Sequence, residues 1–338
     1  MRVDDRFDDL VTSLGGFYRT WYVYVGLELG LFQRLRDAGS NGLTADELAQ
    51  RTGTEPRLVH DWSWGADAHD LLAIDAGRIT IPEDIAVVLL DADRSEYLGG
   101  QFLHAAIGSL DYGGLLEVFR SGTPVERRPD RYRAAIERLT VQDIAVFFQE
   151  LLASVPELVV RLQPGARILD VHCGGGRWLI AMARRFAGTT LVGVEFEPDS
   201  VARARANVAA AVLTERITIE RGDVAAVGHA REFDLAYFQY ALHQLADAPA
   251  ALRSAWEALA PDGWLVTLDW YMPSEPDELR SRHGELIAGV QLDERFQGTA
   301  LASREQFRAW IDEAGLPAPM TIDLPSGATL FVAERPTA

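Results

Sequence analysis

Residues 168–179 read ILDVHCGGGRWL, and the order of residue types in this stretch decides how the second half of the chain is read. An apolar run ending in Asp170 has the character of a buried strand. Gly174, Gly175 and Gly176 follow as a tight turn, and Arg177 opens an amphipathic stretch that reads as a helix. A strand, a glycine turn and a helix N-terminus in that order bring free backbone amides to one point and leave no side chains to hold a ligand away. One letter departs from the pattern: His172 stands where a first glycine is expected.

Downstream the same rhythm continues. TLVGVEF leads to DSVARARANVAAAVL, ITIERGD to a loop, FDLAYF to APAALRSAWEALA, and GWLVTLDW follows. Alternating strands and helices predict a parallel sheet covered by helices on both faces, an α/β fold. An insertion, EPDELRSRHGELIAGVQL, comes next, then the helix SREQFRAWIDEAG, started by Ser303 and Gln306 as a capping box. PMTIDLPSGATLFVAER closes the chain as two strands joined at Pro325-Ser326-Gly327.

Upstream of Pro164-Gly165 the texture differs. Over residues 10–36, Leu10, Leu14, Phe17, Trp21, Tyr24, Val25, Leu29, Leu31 and Phe32 recur at helical spacing and predict a helix with a broad apolar face. In LTADELAQRTG, Thr44 and Glu47 form a capping box and Gly53 a helix stop, and a second helix begins near Glu55. LLAIDAGRITIP is a hairpin turning at Asp75-Ala76-Gly77. Helices followed by a β-hairpin are the order of a winged helix. Residues 95–162 are helical again, broken at 121–124 and near Pro156. The expected organisation is a winged-helix domain over 1–92, a helical connector over 93–162 and an α/β domain over 163–338.

Composition narrows the function. The chain has 338 residues, 48% of them hydrophobic, and a net charge of −18, and all 32 basic residues are arginine. Without lysine there is neither Schiff-base chemistry nor a lysine base. So acidic a chain repels phosphate backbones. The helix over 55–70, the one a DNA reader would insert, carries Glu55, Asp61, Asp67 and Asp70 against Arg57 alone. No nucleic-acid partner is expected. The single cysteine, Cys173, excludes an internal disulfide and a cysteine-rich zinc site. MRVDDRFDDL lacks the basic start and apolar core of a signal peptide. The longest apolar stretch, WYVYVGLELGLF, is interrupted by Glu28 and falls short of the ~20 residues of a membrane span. A soluble cytoplasmic protein without membrane attachment is expected.

Three further features accompany the glycine loop. Glu195 ends the next strand, 19 positions after Gly176, suited to ribose hydroxyls. Gly222-Asp223-Val224 ends the third strand, and the closing hairpin carries SGATL. Together they resemble the class I S-adenosylmethionine-dependent methyltransferases, whose seven-stranded Rossmann-like sheet ends in an antiparallel hairpin. The resemblance covers about residues 163–335. It implies S-adenosylmethionine as cofactor, with Asp170, His172, Gly174 and Gly176 at its methionine part. Glu195 would lie at the ribose, Phe196 at the adenine face, Asp223 and the Val224 backbone at the adenine edge, and Phe238 and Gln239 near the sulfonium. A winged helix, connector and methyltransferase domain in that order resemble small-molecule O-methyltransferases that dimerise through the N-terminal domain. That implies a homodimer, a small apolar or aromatic acceptor, and a pocket roofed by Phe17, Trp21 and Tyr24 and by the insertion around 272–295. His243, in FQYALHQLADAP, falls where such enzymes carry a histidine that takes a proton from the acceptor hydroxyl; packing is its alternative role.

His172 leaves three readings open. It can occupy the glycine position at a cost in cofactor affinity, since a non-glycine residue at positive φ costs on the order of 1 kcal/mol. It can join His243 and Asp269 around a metal, although no metal site is expected from spacing. Or it can obstruct the cofactor in a protein that no longer methylates, such as a ligand-sensing regulator.

Overall fold

In this computed structural model the described residues are 2–125, 128–163 and 165–337. The chain parts into two compact units, Met1–Leu116 with Arg127–Val146, and Glu117–Glu126 with Phe147–Ala338. The expected connector is therefore not a body of its own: its helices 99–109 and 130–139 pack in the first unit and 156–162 belongs to the second.

The first unit opens with the helix Val3–Glu28, which starts earlier than the apolar spacing suggested and stops at Gly30, whose φ of 69° reverses the chain into Leu31–Ala38. The capping box over Thr44 and Glu47 forms in both directions, and Gly53 ends that helix in the left-handed conformation. The helix Pro56–Ala68 follows, then an antiparallel pair, β1 (Ala73–Asp75) and β2 (Arg78–Thr80), turning through Ala76 and Gly77 at positive φ. Phe32, Leu35, Leu48, Val59, Leu72 and Ile79 fill the core between these elements. Most apolar residues at the front of the first helix take no part in it.

The second unit holds the parallel sheet. β3 (Arg167–Val171), β4 (Thr190–Glu195), β5 (Ile217–Arg221), β6 (Phe233–Gln239) and β7 (Leu259–Asp269) run parallel. β8 (Met320–Asp323) and β9 (Thr329–Glu334) close the sheet as the expected hairpin, with β9 antiparallel to β7. The spatial order is β5-β4-β3-β6-β7-β9-β8. Strand order reverses between β3 and β6, so the loops after these two strands diverge and leave a crevice at their carboxyl ends. Among the described residues no helix is long and apolar enough to cross a membrane.

Candidate active site

The loop after β3 is shaped by backbone that only a few residues accept. His172 takes a φ of 67°, Gly174 52° and Gly176 71°. Gly176 donates to the Cys173 carbonyl at 2.9 Å, closing the turn at the start of the helix Arg177–Arg185. A Cβ on Gly174 would meet no atom within 4 Å, so the backbone there borders open ground. The amides of His172 and Cys173 both reach the Val194 carbonyl, at 2.8 and 3.2 Å, which ties the loop to the end of β4.

Glu195, the last residue of β4, is fully buried and heavily engaged. Its Oε1 accepts from the amides of Phe196 and Glu197, both at 2.9 Å, and its Oε2 accepts from the Gly174 amide at 3.0 Å. His172 Nδ1 lies 2.9 Å from the same Oε2 as an ion pair. Burial alone would raise this carboxyl's pKa, but His172 and the backbone donors outweigh it and hold Glu195 below the usual carboxylate range. Asp170 is buried without such help: desolvation, against a smaller opposing effect of His172, pushes it up to about 8. Burial and the neighbouring carboxylates Asp170 and Glu195 push the Cys173 thiol up, which disfavours its thiolate.

Across the crevice, the chain leaves β6 through Tyr240, at a φ of 48°, into the single turn Leu242–Gln244. This presents His243 to the end of β7. His243 Nδ1 lies 2.9 and 3.0 Å from the two Asp269 oxygens, and its Nε2 faces Glu294 Oε1 at 3.8 Å. Glu294 comes from the insertion helix Arg282–Gln297, and its other oxygen is held by Gln297 and Thr299. Burial would lower His243, but the Asp269 charge and hydrogen bond, aided by Glu294, push it up to about 10. The imidazole is bracketed by acids on both nitrogens. Tyr240, at the end of β6, and Trp270, next to Asp269, set their rings against each other at a tilt of 53°, 4.9 Å between centroids.

Other expected residues are placed variously. Phe196 keeps its ring half exposed beside Glu195. Asp223 is exposed, its carboxylate taken by the Ala225 amide at 2.9 Å, and the Val224 side chain turns into the core. Phe238, expected near the sulfonium, packs in the hydrophobic core because strand alternation points it at the covering helices, while Gln239 remains partly exposed at the strand end. His172 and His243 are each paired to a different carboxylate. Among the described residues no three metal-ligating side chains gather into a site, so the His172, His243 and Asp269 metal cluster is not formed. Glu294 was not singled out by sequence; only the tertiary fold of the insertion helix, which reaches the turn after β6, makes it a neighbour of His243.

Residues 168–263 match the family model of a methyltransferase domain. Over these residues the chain is similar to a methyltransferase domain. An uncharacterised methyltransferase of Synechocystis is 30% identical over 149 residues, covering 42% of this chain and 63% of the relative. The chain spans between 41% and 63% of the length of the first three curated relatives it matches. Among solved structures, an O-methyltransferase family protein from Burkholderia thailandensis superposes with a TM-score of 0.72 at 20% identity, covering 98% of each chain. PigF with SAH does so with a TM-score of 0.72 at 20% identity, covering 97% of this chain and 99% of that one. At these identities the likeness is one of fold, and it extends over both units. S-adenosylmethionine is the cofactor of the methyltransferase domain, and the site suits it: open ground over Gly174, donor amides at the helix start, a buried carboxylate at Glu195 and a half-exposed ring at Phe196.

Proposed function

We propose that this chain transfers a methyl group from S-adenosylmethionine to a hydroxyl of a small apolar or aromatic molecule, with His243 as the general base. The observation that carries this reading is His243 held on Nδ1 by Asp269 while Nε2 faces a 3.8 Å gap to Glu294. That gap is too long for a hydrogen bond, and an acceptor hydroxyl fits the need of both groups. Bound S-adenosylmethionine supplies a methyl group on a positively charged sulfur, already activated for transfer. His243 Nε2 then receives the hydroxyl proton, Asp269 stabilises the imidazolium that forms, and Glu294 orients the acceptor. Gly174 and Gly176 would face the methionine part, Glu195 the ribose, Phe196 and Asp223 the adenine. The Tyr240 and Trp270 rings, which follow the ends of β6 and β7, favour a flat acceptor.

The first helix supports a homodimer. Val3, Phe7, Leu10, Leu14 and Phe17 are all more than half exposed, and their alternating spacing of four and three is that of a helix-pairing seam. The helix Pro56–Ala68 exposes Asp61, Asp67 and Trp64, which does not favour the regulator reading, and we read the protein as cytoplasmic. Calorimetry with S-adenosylmethionine and S-adenosylhomocysteine tests the cofactor, and absence of binding to both at millimolar concentration would sink the proposal. With methyl-labelled cofactor and a panel of catechols and monophenols, His243→Ala is expected to slow turnover about 100-fold or more while cofactor affinity is kept. Unchanged turnover would refute the base.

A further inference from the structure

The unusual residue of the glycine loop is fixed in one place. The His172 Nδ1 lies 2.9 Å from Glu195 Oε2 as a charge contact outside hydrogen-bond geometry, and the ring lies nearly parallel to Phe196, 5.2 Å between centroids and 13° between planes. Gln244, next to His243 on the turn after β6, also interacts with the His172 side chain. Glu195 and Phe196 are the groups on which the cofactor reading places ribose and adenine. Backbone amides already engage both Glu195 oxygens, so His172 takes the direction left for a ribose hydroxyl. Histidine is among the residues that tolerate positive φ, so the loop keeps its shape while this one residue carries a ring into the ligand's ground.

We propose that His172 is a resident occupant of the ribose position, competing with S-adenosylmethionine for Glu195 and Phe196, so that the cofactor binds as the imidazole is displaced. The proposal rests on the cofactor reading above. The groups facing the ring are Glu195 from β4, Asp170 from β3, Cys173 on the loop itself and Gln244 beyond β6. Burial by itself would lower His172, but Glu195, Gln244 and Asp170 hold it above its ordinary value. Displacement breaks the pair with Glu195 and returns the imidazole toward its ordinary pKa of ~6.5. Binding then releases a proton wherever the pH lies between the ordinary and the raised value, and affinity climbs with pH across that window, by up to about tenfold per unit. Below ~6.5 the ring is charged in both states, above the raised value it is neutral in both, and affinity is flat.

The test is calorimetric binding of S-adenosylhomocysteine and of S-adenosylmethionine to the full chain from about pH 6 to about pH 9, in two buffers of different ionisation enthalpy to count protons. The same rise with pH and the same proton release are expected for both ligands, because the ribose is common to them. His172→Gly is expected to bind about tenfold more tightly at neutral pH and to lose both the rise and the proton. His172→Asn keeps a side chain that accepts positive φ and does not titrate, so it too should lose the pH dependence. A rise seen only with the sulfonium ligand would overturn the proposal in favour of simple charge repulsion. Binding that ignores pH and is unchanged or weakened in His172→Gly would overturn it while leaving the cofactor reading intact, whereas no binding by any form would overturn both.

Discussion

A base that is charged at rest sets the pH behaviour of the site. Two carboxylates push His243 up to about 10, so in the ligand-free protein the imidazolium predominates at neutral pH and the form that accepts a proton is scarce. The kcat/KM for a phenolic acceptor is therefore expected to rise from neutral toward about pH 10. Glu294→Gln removes one of the two acids and should move that profile to lower pH, while Asp269→Asn should also depress the maximum because the ring loses its orienting partner. Profiles measured with the three proteins check this, and a Glu294→Gln profile that overlays the wild type refutes it. Asp170, Glu195 and His243 were legible in the sequence because each ends a strand or follows one by a few residues, marked by glycine, by spacing or by family resemblance. Glu294 was not, since nothing local in ELIAGVQLDERF marks its approach to His243. Phe238 occupies the strand end that the resemblance points to, and the alternation of the pleat packs it in the core while Gln239 stays partly exposed.

Between elements, close contacts at glycine determine which substitutions the scaffold accepts. The helix Val3–Glu28 doubles back into Leu31–Ala38, and the fully buried Phe32 ring fits against Gly26, where a Cβ would lie 2.2 Å from it. Gly26→Ala gains up to about 1 kcal/mol of helix propensity but forces this ring out of place, for which overpacking costs about 1–3 kcal/mol. The net expectation is destabilisation of the first unit. At Gly289, exposed on the insertion helix with nothing within 4 Å of its Cβ direction, Ala should stabilise by about 0.5–1 kcal/mol. Denaturant melts of the two variants should thus shift in opposite directions, and a neutral or stabilised Gly26→Ala would refute the packing argument. Caps, stops and strands were read correctly where chemistry is local, as at Thr44, Gly53 and the Ala76-Gly77 turn. The helix start at Val3, capped locally by Arg2 and Asp5, was missed because it lies ahead of the apolar spacing that marks the helix, and the chain's division near Val146 because contacts distant in sequence decide it.

For the whole molecule, charge and exposed apolar surface pull in different directions. A net charge of −18 keeps copies apart at long range, yet the first helix leaves Val3, Phe7, Leu10, Val11, Leu14, Phe17 and Tyr18 facing outward with exposures from 48% to 85%. A soluble chain rarely leaves so continuous an apolar stripe to water. Asp4, Asp5, Asp8 and Asp9 share the front of this helix, where Arg2 pairs with Asp5 and Arg6 with Asp9. These local pairs offset part of the repulsion that two such helices would feel. Debye screening within about 8 Å at physiological salt weakens the remainder, whereas burial of the stripe is insensitive to salt. A homodimer is therefore expected to persist or tighten as salt is raised. Leu10→Glu with Leu14→Glu places two further charges in the seam and should yield a folded monomer, read as a halving of mass by light scattering with the circular dichroism retained. A double variant that stays dimeric, or a wild type that is monomeric at all salt concentrations, would show that the stripe serves another contact.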